Sequence, residues 1–349
     1  MGEHPRLSDS SCVTLTESLL MASKSTSTQH NPAIAGISYL FPAGSTTVRQ
    51  MALDGQLEST PEMLESFGFD RVHVASGESP YELALEAARK LLAENEVDPA
   101  SIGLVIYGGA PGPMAFSSAR DSAVGASGLC TSRRFMYPAA RLQYDLDLSN
   151  AWTFAVDQLA CTTLLAAARI ARSLCLTEGI ERALCVSSEF FPAEAGREAI
   201  FNCTSDAACA VLVERDGERN RLLSATTVTK GYYWDVDGLR DEIVASYFPT
   251  ARHVLHQTVA NAGWSPEDVD WIIPHNVSMR SWDILSGLVK LPRARLWTDN
   301  IARHGHTLAG DNFINYRDAL DSGEIEPGQR ILLFSYGFGA HWTGVAVEA

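Results

Sequence analysis

Long apolar runs are missing from this 349-residue chain. None reaches the roughly 20 residues that a membrane-crossing helix needs, so no span is expected. The opening residues, Met1 to Ser10, are polar rather than basic and then apolar, so no secretory leader is expected either. Positive charge is also scarce: 27 Lys and Arg stand against 42 Asp and Glu, a net charge of −15. A nucleic-acid partner would need a basic footprint, so none is expected. An acidic protein partner would have to find a local basic patch. The seven cysteines (Cys12, Cys130, Cys161, Cys175, Cys185, Cys203 and Cys209) are odd in number and include no Cys-x-x-Cys. That argues against a disulfide framework or a zinc ribbon and for a reducing cytoplasm. Most of these cysteines should act as small buried hydrophobes.

What is present is a globular balance, 46% hydrophobic and 20% charged, in a chain long enough to bury a sizeable core. Residues 1–30 are rich in Ser and Thr and end at Asn31-Pro32; they read as a disordered extension. Folded sequence begins with a strand over Ala33 to Leu40. A helix is expected from Pro80 to Leu92, with Leu83, Ala84, Ala87, Ala88 and Leu91 on one face. Strands follow at Leu104–Tyr107, Phe154–Val156, Ala183–Val186 and Ala210–Val213, and a helix at Thr162–Leu174. This alternation indicates an α/β protein. Val97 to Ile106 resembles Trp264 to Ile273, and Cys161 with its helix and next strand mirrors His306 with its own. The two matches suggest a duplicated unit.

Three residues carry possible chemistry. Cys161 stands where a strand stops and a helix starts. Unpaired N–H groups and partial positive charge there stabilise a thiolate. On position alone, a buried packing cysteine is the commoner outcome. His275 ends the apolar strand Trp271–Pro274, where open α/β sheets hold ligands; a histidine satisfied by loop backbone is the alternative. His306 lies between glycines ahead of a helix. His304-x-His306 has no companion at metal-ligand spacing, so no metal is expected. His253 and His256 fit a solvated helix face. The stretch Ser335 to Gly344 is glycine-rich, but it joins two strands rather than leading into a helix. It therefore reads as a tight turn whose N–H groups approach a site, not as a phosphate loop.

In order and spacing, these segments resemble the ketosynthase III family, the beta-ketoacyl-ACP synthase III relatives of the thiolase superfamily. The match runs from Pro32 to the C-terminus and includes Ser205 to Val211, Pro274-His275-Asn276, His304 to Thr307, Gly323 to Gln329 and the final glycine turn. The resemblance implies a five-layered αβαβα thiolase fold with two pseudo-duplicated halves, here residues 31–215 and 216–349, usually as a homodimer. It makes Cys161 the acyl carrier and His275 and His306 its catalytic partners. It gives the backbone N–H groups of Cys161 and Phe338 the role of oxyanion hole. Arg280 matches a basic residue that would meet an acyl carrier protein; an ordinary surface arginine is the alternative. No bound cofactor is implied. The substrate is a carrier-protein phosphopantetheine or coenzyme A thioester, condensed with a malonyl-type thioester.

The chain departs from the family pattern at three places. His306 stands where Asn is usual. The Trp and Arg of the coenzyme A loop are missing from Glu62 to Phe69, which favours a carrier protein as donor. Phe338 replaces the middle of three glycines. Two other functions fit the same residues: acyl transfer to an alcohol or amine without decarboxylation, or a non-catalytic partner subunit of a ketosynthase complex.

Overall fold

A computed structural model describes residues 31–109, 115–116, 135–191, 195–290 and 293–349. The extension expected over 1–30, with Cys12 and Cys130, lies outside them. The first half of the chain contributes β1 (Ala33–Leu40), β2 (Gly44–Thr47), α1 (Val48–Leu53), α2 (Pro61–Ser66), β3 (Arg71–Val74), α3 (Pro80–Glu94), β4 (Ile102–Gly109) and α4 (Pro138–Asp145). It continues with β5 (Trp152–Val156), α5 (Thr163–Thr177), β6 (Arg182–Glu189), the two-residue strands β7 (Glu198–Ala199) and β8 (Asn202–Cys203), and β9 (Ala207–Glu214). The second half contributes β10 (Arg221–Thr229), α6 (Arg240–Asn261), β11 (Trp271–Pro274), α7 (Met279–Val289), α8 (Asn300–His304), α9 (Asp311–Asp321), β12 (Arg330–Gly337) and β13 (His341–Glu348).

Local chemistry sets these boundaries. α3 opens on a capping box between Ser79 and Glu82 with Pro80 in the first turn, and it buries the expected face. β6 and β9 are buried on both faces, as their unbroken apolar runs require.

The strand order is β11-β12-β13-β10-β1-β9-β6-β4-β5. It reads the same outward from the centre in both directions. β1 pairs antiparallel with β9, β9 antiparallel with β6, and β6 parallel with β4. β10 pairs antiparallel with β13, β13 antiparallel with β12, and β12 parallel with β11. β5 beyond β4 has its counterpart in a parallel bridge from Leu296 to Ile272.

Three apolar clusters then define five layers. α3 packs on one face of the β4–β6–β9 half. α5 and α9 lie together between the inner faces of both halves. α6 and α7 cover the outer face of the β12–β13 half. This is the αβαβα thiolase fold, and its central layer carries the site. Ala160–Thr177 is long and apolar enough to cross a membrane by composition, but it is packed in that central layer.

The mirror also corrects one expected pairing. A 3-10 turn, Ala160–Thr162, precedes α5, and its counterpart before α9 is Leu308–Gly310. Each turn begins on a left-handed residue, Ala160 at φ 45° and Leu308 at φ 55°. The counterpart of Cys161 is therefore the buried Ala309, and His306 lies three residues upstream of it.

Candidate active site

The site forms where β5 and the two central helices converge. After Val156 the chain passes through Gln158 at φ 63° and Ala160 at φ 45° before Cys161. Two non-glycine residues in the left-handed region cost roughly 1 kcal/mol or more each and must be held by their surroundings. Thr162 and Thr163 hydroxyls donate to the carbonyls of Leu159 and Ala160 at 2.8 and 2.7 Å. Ser335 Oγ donates to the Cys161 carbonyl at 2.9 Å. Gly337 allows the final approach: a Cβ there would lie 2.3 Å from the Leu159 oxygen and 3.1 Å from the Cys161 nitrogen. Sequence pattern placed a helix start at Cys161, but the cysteine sits in the 3-10 turn and α5 begins at Thr163. The strained turn aims the side chain before the helix starts.

Cys161 is 5% exposed, and its Sγ lies 3.0 Å from His306 Nε2. The backbone of His306 is fixed on both sides. Its N–H donates to the Cys203 carbonyl, and its own carbonyl accepts from Ser205 N, each at 2.8 Å. His306 Nδ1 lies 2.5 Å from Asp311 Oδ2. Asp311 is fully buried; its Oδ1 accepts from Thr307 N and Oγ1, and Oδ2 from Asn276 N, all at 2.6 Å.

Burial disfavours charge on both partners, yet their mutual attraction wins. The His306 pKa is raised well above the ordinary histidine value by Asp311 and Cys161. Asp311 is held below the usual carboxylate range by His306 and its hydrogen bonds. Four other cysteines, Cys175, Cys185, Cys203 and Cys209, are buried, and burial pushes their thiols up, to about 11 for Cys175 and about 12 for Cys203. They are inert packing residues.

His275 follows β11 and is fully buried against Trp282, Phe334 and His306, with ring centroids 5.7, 5.9 and 6.1 Å away. Burial, then the His306 charge, lowers its pKa to about 3, so the ring is neutral. Neither ring nitrogen has a hydrogen-bond partner among the described residues. His304 projects elsewhere: its Nδ1 faces His73 Nε2 at 3.0 Å, with Phe41 stacked on both rings. It therefore shares no ligand geometry with His306, and no metal cluster occurs among the described residues. His253 is exposed, but His256 is half-buried, because the stripe Ala251, Val254, Leu255 and Thr258 turns that side of α6 inward.

A cavity of about 460 Å³ opens beside the Cys161 turn. Ala160, Phe338 and Gly339 line it at the turn, Asp157 and Glu189 supply carboxyl groups, and Trp234 stands in its wall. Arg280 is exposed in the first turn of α7, remote from the buried residues. The neighbouring Met279 N donates to Phe67 O at 2.8 Å, which places Arg280 beside the α2 loop. Cys161, His275 and His306 are thus brought together, Phe338 borders the cavity beside the Cys161 turn, and Arg280 stays on the surface. Asp311 and Glu189 escaped sequence reasoning. A carboxylate opening a helix looks like an ordinary dipole partner, and one ending a strand looks solvated.

A cysteine on a strained turn, leading into the central layer shared by two mirrored halves, is the arrangement of the thiolase fold. Known proteins share this fold. A profile for the C-terminal part of 3-oxoacyl-[acyl-carrier-protein] synthase III matches residues 259–349. The beta-ketoacyl-[acyl-carrier-protein] synthase III of Rhodobacter capsulatus is 25% identical over 344 residues, covering 90% of this chain and 98% of that protein. The enzyme of the same name from Rhizorhabdus wittichii is 25% identical over 333 residues, covering 87% and 97%. The crystal structure of 3-oxoacyl-[acyl-carrier-protein] synthase III from Aquifex aeolicus superposes with a TM-score of 0.77 at 20% identity, covering 91% of this chain and all of that one. The chain thus resembles ketosynthase III enzymes over most of its length and shares their fold.

Proposed function

We propose that the protein is a condensing enzyme that loads an acyl group on Cys161 and joins it to a malonyl-type thioester. The observation that carries this reading is the 3.0 Å approach of His306 Nε2 to a cysteine held on the strained turn. In the first step His306 Nε2 takes the Cys161 proton as the sulfur attacks the thioester carbonyl carbon. The oxyanion is received by the N–H groups of Cys161 and Phe338. Collapse expels the donor thiolate, which takes a proton from His306 and leaves as a thiol. In the second step the malonyl carboxylate departs as carbon dioxide, and its bonding pair remains as an enolate. One N–H of the neutral His275, free of protein partners, supports the enolate oxygen. The enolate carbon attacks the acyl carbonyl, the Cys161 thiolate leaves, and His306 regains a proton from solvent. No cofactor enters either step.

The donor on this reading is a carrier-protein thioester, docked near Arg280. A second basic group supports that choice: Arg240 lies 5.3 Å over the ring of Phe201, which itself packs on Phe67. The protein is taken to act in a reducing cytoplasm as a homodimer.

Intact mass after incubation with acyl-carrier and acyl-CoA thioesters tests the first step. Acyl mass should appear in the native protein and be absent from Cys161→Ala. With malonyl carrier, carbon dioxide should be released in step with loss of that mass. Acyl transfer without gas would overturn condensation, and no acyl mass at all would leave a non-catalytic subunit.

A further inference from the structure

Asp311 opens α9, and a carboxylate in that position ordinarily caps its own helix. It does not do so here. Gly310 is the N-cap residue, and no side-chain cap bond is made. The hydrogen bonds that Asp311 accepts come from Thr307 and Asn276, and its Oδ2 faces His306 Nδ1 at 2.5 Å. Three donors from two different segments therefore fix both oxygens of a fully buried carboxylate against one face of the imidazole. The opposite face of the same ring meets Cys161 Sγ at 3.0 Å.

We propose that Asp311 is a positioning residue: it holds the proton of His306 on Nδ1 and so presents Nε2 to Cys161, making thiol, imidazole and carboxylate one proton-transfer chain. The arrangement works because the imidazole links the thiol to the carboxylate through its two nitrogens and all three groups are buried. During acylation the Cys161 proton passes to Nε2 while Nδ1–H donates to Asp311. When the donor thiolate leaves, Nε2 surrenders its proton and Nδ1–H stays with Asp311. The imidazole is then neutral, with its lone pair still aimed at the thioester. Without a fixed acceptor at Nδ1 the neutral ring could place its proton on either nitrogen, and half of that population would face Cys161 the wrong way. A misplaced tautomer is the way in which such a triad fails when its carboxylate is lost.

The groups facing His306 are Cys161 from the 3-10 turn, Asp311 from α9, His275 following β11, and Glu189 at the end of β6. His275 is neutral, so it neither replaces nor cancels the carboxylate. Glu189 interacts with His306 only by charge through the cavity side. Asp311 alone holds Nδ1.

The proposal builds on the reading of Cys161 as acyl carrier but is tested apart from it, by alkylation of the free thiol. The rate of Cys161 labelling by iodoacetamide, followed by peptide mass against pH, reads the thiolate whatever the protein acylates. Asp311→Asn should move the reactive limb upward by about one pH unit or more and slow labelling at pH 7 by at least about tenfold. Asp311→Glu should recover part of the loss. An unchanged pH profile in folded Asp311→Asn would overturn the proposal. Asparagine brings an N–H₂ group against the donors of Thr307 and Asn276, so that variant can fail to fold. Nitrogen-15 spectra of the histidine-labelled native protein then decide. One histidine should carry its proton on Nδ1, with a far-downfield proton signal that vanishes in His306→Asn. A proton found on Nε2 alone in the neutral ring would overturn the proposal. If Cys161 shows the expected profile yet never gains acyl mass, the condensing reading fails and the role of Asp311 stands.

Discussion

Gly337 shows how much one missing atom contributes. Its hydrogen faces the Leu159 carbonyl, where a methyl would stand at 2.3 Å. The neighbour is backbone already in a strained turn, so it cannot yield without moving Cys161. Gly337→Ala should cost about 1–3 kcal/mol of stability and reduce acylation of Cys161 more than the stability loss explains. Urea unfolding and intact-mass acylation, measured together, check both. Glu189 makes a different statement. Burial in the cavity wall, against the charge of His306, raises its carboxyl from an ordinary 4.5 to about 7. The fold therefore keeps a proton that the unfolded chain releases, and the stability present below pH 4.5 is lost as pH rises through 7. Glu189→Gln should stabilise the fold relative to the native protein at pH 8 by an amount on the order of 1 kcal/mol after solvent screening, read as a higher melting temperature, and leave stability unchanged at pH 4. Of the candidate site, strand ends and glycines drew notice to Cys161, His275 and His306, but only the order and spacing of the family-like segments gave them roles. Asp311 could not, since its partners Thr307 and Asn276 come together only when α9 docks behind β11.

At the scale of elements, the segment before β9 ties the site to the small β2–β3 layer. Arg197 and Asp206 are both buried and paired through two hydrogen bonds at 2.7 and 3.0 Å. Asp206 Oδ2 also accepts from Ala75 N after β3, and Oδ1 from Phe191 N after β6, each at 2.8 Å. One carboxylate thus joins three stretches of chain, and the adjacent Ser205 N holds the carbonyl of His306. Removing it strands a buried guanidinium. Asp206→Ala should destabilise the fold by about 3–5 kcal/mol, read as a shift in the urea midpoint. Replacing both partners with apolar residues should cost less than the single change. The run Ser205-Asp206-Ala207-Ala208 was legible as a family segment, but its reason was not: nothing in the spacing from Arg197 to Asp206 announces a buried ion pair. Helices and strands were easier, because apolar periodicity records burial directly. The turn at Gln158–Ala160 was missed, because its left-handed residues are not glycines and leave no compositional mark.

At the scale of the molecule, we propose from the mirrored strand order that the chain divides into 31–215 and 216–349, in the connection between β9 and β10. The two ends of the sheet are not equivalent. β11 receives the bridge from Leu296, whereas β5 closes the other end with Trp152 51% exposed. An edge strand with free donors and acceptors invites pairing, and a two-fold partner satisfies it with the same strand. The homodimer reading therefore places β5 of one copy against β5 of the other. The chain mass is 37.9 kDa, and light scattering at micromolar concentration should return twice that value. Trp152→Glu combined with Ala155→Glu puts like charges face to face across a two-fold axis and should return the single-chain mass, with added salt restoring part of the dimer. The same variant carries a functional consequence. β5 ends at Val156 and leads directly into Gln158 and Ala160, whose left-handed backbone needs firm surroundings. A freed β5 should relax that turn, so Cys161 labelling and acylation should fall together with the mass. A native protein of single-chain mass would remove the dimer, and a monomeric variant with undiminished Cys161 reactivity would show that the turn is held from within one chain by Gly337, Ser335 and the two threonines alone.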